Sequence, residues 1–107
     1  SSMEEAIKSF SNLKGKKIII LGDMYEIGKE SSIEHKKIIK LCEEIPNCKC
    51  IFIGEHFYIF SSTEKGSKFF KNKSDFYNSD IKIDENKILI KGSRGMKMEE
   101  ILKYIKQ

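Results

Sequence analysis

Lys87-Ile88-Leu89-Ile90-Lys91-Gly92-Ser93-Arg94-Gly95-Met96-Lys97-Met98-Glu99 reads as a strand, a glycine-flanked loop and the start of a helix. The run Ile88-Leu89-Ile90 suits a strand covered on both faces, and Met98, Ile101, Leu102 and Ile105 recur at the spacing of one helical face. In the loop between them, Gly92 and Gly95 permit backbone angles that other residues resist, which lets a ligand approach the main chain around Ser93 and Arg94. A helix starting there aims its free N–H groups and positive dipole end at the same spot, an arrangement suited to a carboxylate or phosphate. Arg94 is the one arginine among 20 basic residues, and its planar fork matches such an anion. Lys91 and Lys97 flank the loop and add positive charge. The alternative reading is an ordinary strand-to-helix turn with solvated cations.

Working outward, Lys17-Ile18-Ile19-Ile20-Leu21 is the strongest strand signal and belongs in the middle of a sheet. Before it, Ser2-x-x-Glu5 is a capping-box pattern, and Met3, Ile7 and Phe10 mark a short opening helix that begins abruptly, as a cut piece does. After it, Gly22 to Gly28 form a loop, and Ser31-x-x-Glu34 is a second capping box for a helix through about Ile45, with Ile38, Leu41, Cys42 and Ile45 facing inward. Pro46 and Asn47 end that helix, Cys48 to Ile53 is the next strand, and Gly54 closes it. This is a β-α-β unit, so the expected class is α/β with a mostly parallel sheet and right-handed crossovers. Glu55 to Phe60 reads as a short helix, Ser61 to Lys73 as a helix fragment plus loop, Asp75-Phe76-Tyr77 as a short strand, and Ile81 and Ile83 as an edge strand.

Composition sets the limits. A chain of 107 residues builds one core, and 39% hydrophobic with 34% charged residues describes a globular domain rather than a disordered one. No apolar run reaches the roughly 18 residues that span a bilayer, and the first residues lack the order of a secretory signal, so a cytoplasmic location is expected. The net charge of +4 comes from lysines scattered among acids, without the basic stripe that nucleic acid requires. Cys42, Cys48 and Cys50 are an odd set without zinc-site spacing, so no metal site is expected.

The three clearest strands are closed by Gly22, Gly54 and Gly92, and ligands of open α/β sheets gather beyond the carboxyl ends of strands. Asp23, Glu26, Glu55, His56, Ser93 and Arg94 are therefore expected along one edge. The stretch from Gly22 to Glu30 is not a P-loop: five residues separate Gly22 from Gly28 where four are required, and Glu30 stands where a magnesium-binding hydroxyl is needed. Asp23 suits either a ribose hydroxyl or cation, or a loop-capping role through nearby backbone amides. His35, in the first turn of its helix beside the apolar face, suits either a neutral hydrogen-bonding imidazole or a structural core histidine.

Two of these motifs, Leu21-Gly22-Asp23-Met24-Tyr25-Glu26-Ile27-Gly28 followed by Ser31 and His35, and Lys91 to Glu99, closely resemble the C-terminal domain of the Mur ligases, nearest to the MurF type (UDP-N-acetylmuramoyl-tripeptide:D-alanyl-D-alanine ligases). The opening Ser2 to Ile7 is similar to that family's segment after its interdomain linker, so the resemblance covers nearly all of residues 1–107. It implies a Rossmann-like three-layer domain of a larger peptidoglycan-precursor enzyme, inactive alone and without a cofactor of its own. The family's central domain uses ATP and Mg²⁺ to phosphorylate the tripeptide carboxylate, and the amine of D-alanyl-D-alanine then displaces phosphate. Carried over by position, Ser93 and Arg94, with Lys91, Gly92 and Gly95, would face the dipeptide carboxylate. Asp23 and Glu26 would face the nucleotide and the interdomain cleft, with His35 supporting their loop. The family's full helix before the last long strand has only Asn78 to Asn86 in its place, which implies a trimmed sheet edge. A free-standing flavodoxin- or receiver-like module, with Asp23 and Lys91 as its reactive pair, is the alternative.

Overall fold

The computed structural model describes residues 2–25, 30–61 and 66–105. Helix α1 (Ser2–Ser11) leads to β1 (Lys17–Gly22), α2 (Ser31–Glu43) and β2 (Cys48–Ile53). Then follow α3 (Glu55–Tyr58), β3 (Lys68–Phe70), α4 (Lys73–Asn78), β4 (Lys87–Lys91) and α5 (Glu99–Ile105). The strands form one sheet in the order β3-β2-β1-β4, and every pairing is parallel. β1 is central and buried along its whole length, as its run of isoleucines requires.

Alternation along the strands sorts their side chains into two cores, one on each face of the sheet, which corrects the expectation of a single core. Ile19, Leu21, Cys50 and Phe52 pack under α1, α2 and α3 with Ile7, Ile38 and Phe57. Ile18, Ile20, Ile51 and Ile53 face the other way, toward Phe76 of α4 and Ile101 of α5. The result is the three-layer α/β arrangement expected, with helices on both faces of a parallel sheet. The loops after β1 and β4, which are neighbours, depart to opposite faces: β1 leads to α2 and β4 to α5. That divergence is the switch point at which ligands of such sheets bind.

Several expectations are corrected. β4 has both faces covered, Leu89 in one core and Ile88 and Ile90 in the other, yet it is an edge strand that pairs only with β1. Residues 75–77 are helix instead of strand, because the Asn72 side chain accepts the Asp75 N–H at 2.8 Å, capping α4, and Phe76 turns into the core. A strand, β3, replaces the helix fragment in the described part of 61–73. Ile81 and Ile83 pack on the core without forming a strand, so the interval before β4 holds no further helix or strand. Ser31 does not cap α2, and its oxygens turn to His35 instead. Leu102 is exposed; the inner face of α5 is Ile101, with Tyr104 and Ile105 packed beside it.

Candidate functional site

The two motif loops are bonded to each other at the carboxyl rim of the sheet. The Ser93 N–H donates to the Asp23 carbonyl at 3.0 Å, and the Tyr25 N–H donates to the Ser93 hydroxyl at 2.6 Å. The Tyr25 hydroxyl then reaches the Met96 sulfur at 2.7 Å. Asp23 and Ser93, remote in sequence, thus belong to one hydrogen-bonded corner above β1 and β4.

Close approach at this corner depends on missing side chains. A Cβ on Gly22 would lie 2.6 Å from the Met98 sulfur, and one on Gly92 would lie 2.8 Å from Met98 Cγ and 3.0 Å from the Gly22 Cα. Gly92 therefore lets two backbones and Met98 pack together, and neither it nor Gly95 adopts a positive φ. The left-handed residue is Lys97, at φ 49°, where a 3₁₀ turn over Arg94–Met96 ends. This corrects the expectation that a helix begins at Ser93: the 3₁₀ turn intervenes, α5 starts at Glu99, and its N-terminus is not what the loop offers an anion. Arg94 is exposed, and it lines a cavity of about 340 Å³ with Lys91, Gly92, Ser93 and Glu99.

Asp23 is 2% exposed. One carboxylate oxygen accepts the His56 N–H at 3.0 Å and lies 2.9 Å from His56 Nδ1, while the other accepts the Phe57 N–H at 3.1 Å. It caps α3 across the sheet, from the neighbouring strand's loop. Gly54 makes this possible, with φ 132° and a Cβ position that the carboxylate occupies. The loop-capping alternative for Asp23 is thus present in the structure.

His35 is fully buried. Its Nδ1 lies 2.6 Å from the Ser31 carbonyl, which can only accept, and its Nε2 receives the Met24 N–H at 3.0 Å. Those partners define a neutral imidazole, and burial holds its pKa below the ordinary histidine value. Both alternatives weighed for His35 are therefore met by one residue, a core histidine that hydrogen-bonds in the neutral form and pins the loop after β1. Candidate ligand atoms of Asp23, His35 and His56 lie within 4.8 Å of one another, but both His35 nitrogens already have partners, which leaves that ring no lone pair for a metal.

A second cavity, of about 370 Å³, is lined by Asp23, Tyr25, His56, Lys71, Lys73 and Gly95 among others. Burial, then the Asp23 and Glu55 carboxylates, hold the Tyr25 phenol above its usual pKa. Asp23, Glu55, His56, Ser93 and Arg94 thus share the rim as expected, divided between two adjoining cavities; Glu26 lies outside the described residues. The reading of the motifs missed Tyr25 as the link between loops and His56 as the partner of Asp23. The available signal was Gly54-Glu55-His56, which closes β2 as Gly22-Asp23 closes β1.

Fold and rim define the class first: a parallel α/β domain whose ligand edge is built from the loops after β1, β2 and β4. No family model matches the chain. It is 33% identical over 106 residues to the UDP-N-acetylmuramoyl-tripeptide--D-alanyl-D-alanine ligase of Buchnera aphidicola subsp. Acyrthosiphon pisum, covering 95% of this chain and 23% of that protein. The enzyme of the same name from Escherichia coli is 24% identical over 110 residues, covering 99% of this chain and 24% of that protein. A crystal structure of MurF from Acinetobacter baumannii superposes with a TM-score of 0.77 over 97% of this chain and 24% of that one, at 22% identity, and shares the fold. Over nearly its whole length the chain is similar to the C-terminal part of MurF-type ligases. It spans about a quarter of the length of the curated relatives it matches.

Proposed function

We propose that this chain works as the C-terminal domain of an ATP-dependent ligase that joins D-alanyl-D-alanine to UDP-N-acetylmuramoyl-tripeptide through an acyl phosphate. In this reading the rest of the polypeptide binds ATP and Mg²⁺ and forms the acyl phosphate. This domain closes over it, excludes water and presents the dipeptide. By itself it has no turnover and no resident cofactor, and it acts in the cytoplasm on small molecules. The observation that carries the reading is the bonded corner between the loops after β1 and β4. Ser93, with Arg94 beside it, stands at the switch point of the sheet, where a carboxylate meets a guanidinium and a hydroxyl whose proton is free to donate.

Arg94 and Ser93 hold the dipeptide carboxylate, with Lys91 adding charge and Gly92 and Gly95 giving access to the main chain. Asp23 and His35 shape the wall toward the nucleotide and the interdomain cleft, the side to which Glu26 is assigned by its place in the same motif. Asp23 does so indirectly, since its buried carboxylate is occupied by three N–H groups. The same occupancy removes the basis for a receiver-like module, which presents an open carboxylate for phosphorylation. The test is Arg94→Ala in the full-length ligase. Loss of a charge-assisted pair raises the KM for D-alanyl-D-alanine at least about tenfold, and unchanged dipeptide kinetics would remove Arg94 from this role.

A further inference from the structure

We propose that His56 receives the ammonium end of the amine substrate and takes its proton; the inference rests on the ligase reading and adds a catalytic residue to it. His56 Nδ1 lies 2.9 Å from a carboxylate oxygen of Asp23, a group that is 2% exposed and can only accept. The proton therefore sits on Nδ1, and the lone pair is at Nε2. The ring is fixed from two further sides. Its own backbone N–H is bonded to the same oxygen, and it stacks on His35 with centroids 5.2 Å apart and planes 19° from parallel. Yet its side chain is 47% exposed and lines the cavity of about 370 Å³. A buried carboxylate that orients a half-exposed imidazole, with its free nitrogen away from the carboxylate, is the arrangement of a proton acceptor.

The neighbouring polar groups narrow what this nitrogen meets. Lys73 is bonded to the Lys97 carbonyl and to Glu100, Lys71 lies over the Tyr58 ring, and the Tyr25 hydroxyl points to the Met96 sulfur. Glu55 is a solvated carboxylate on the rim. An open imidazole lone pair beside it favours a hydrogen-bond donor of positive charge, which is a primary ammonium. Position agrees with this. Tyr25 stands between the two subsites, its N–H on the Ser93 hydroxyl at 2.6 Å and its ring 6.0 Å from the His56 ring. Tyr25, which touches both subsites, therefore lies between the carboxylate anchor at Ser93 and Arg94 and an amino group directed at His56.

The step balances. His56 Nε2 takes one proton from the ammonium, and the freed electron pair forms the C–N bond to the carbonyl carbon of the acyl phosphate. The bond from that carbon to the phosphate oxygen breaks, phosphate departs with the electron pair, and the second nitrogen proton leaves with it.

The experiment uses the full-length ligase with ATP, UDP-N-acetylmuramoyl-tripeptide and D-alanyl-D-alanine. The titratable and charged groups around His56 are Asp23, Tyr25, His35, Glu55, Lys71 and Lys73, and all are left intact. His56→Gln lowers kcat about 100-fold, changes the dipeptide KM less than about threefold, and removes the acidic limb of the kcat profile against pH. His56→Ala is partly restored by added imidazole. A kcat within about twofold of wild type, or a loss that is equal at every pH and untouched by imidazole, overturns the proposal. A wild-type enzyme that does not join the dipeptide at all overturns the ligase reading instead, so the two failures are told apart.

Discussion

Replacing Gly54 by alanine tests the construction of the site most directly. The residue has φ 132° and ψ 159°, a region open in practice only to glycine, where another residue costs about 1–3 kcal/mol. The new Cβ would also lie 2.2 Å from the Asp23 carboxyl carbon and 2.3 and 2.4 Å from its two oxygens. A flexible surface side chain would swing aside cheaply. Asp23 cannot, because it is buried and accepts the His56 and Phe57 N–H groups. Moving it forfeits at least one charge-assisted bond, about 1.5–3 kcal/mol, for a total of about 2.5–6 kcal/mol. That is a large part of the roughly 5–15 kcal/mol that keeps a domain of this size folded. Urea unfolding at neutral pH, followed by far-UV circular dichroism, measures it. A loss below about 1 kcal/mol would refute the claim that the Asp23 carboxylate fills the space beside Gly54.

Two further predictions concern stability. His35 is held neutral, with a pKa below its unfolded value, so the unfolded chain binds more protons in the interval between the two. Its contribution is complete above about pH 6.5 and is lost as pH falls toward the folded value, by at most about 1.4 kcal/mol per pH unit; urea midpoints from pH 8 to 5 should show that decline, and His35→Gln should flatten it. Gly92→Ala should destabilise more than Gly22→Ala, because its Cβ meets the Gly22 backbone as well as Met98, whereas the contacts of the latter are methionine side-chain atoms that can move. Equal losses by thermal unfolding would contradict that ranking.

Much of the fold was legible because it rests on short-range patterns. Contiguous Ile18, Ile19 and Ile20 specify a strand buried on both sides, and Gly22, Gly54 and Gly92 mark where three strands end. What was misread had competing local signals. The aromatic pair in Asp75-Phe76-Tyr77 suggests a strand until the Asn72 cap is seen, and β3 is three residues long at the end of a lysine-rich tract.

The sequence by itself determined a parallel α/β domain, its two motif loops and the placement of their polar residues at strand ends. Only the tertiary structure decided how those residues are used. The parallel alignment of β1 with β2 and β4 brings Asp23 to His56 and Ser93 to Tyr25, contacts that no local pattern encodes. The physical reason lies in range: strand and turn preferences act between near neighbours in the chain. The protonation site on His56, the neutral state of His35 and the room beside Gly54 arise where distant segments share a buried, hydrogen-bonded interior.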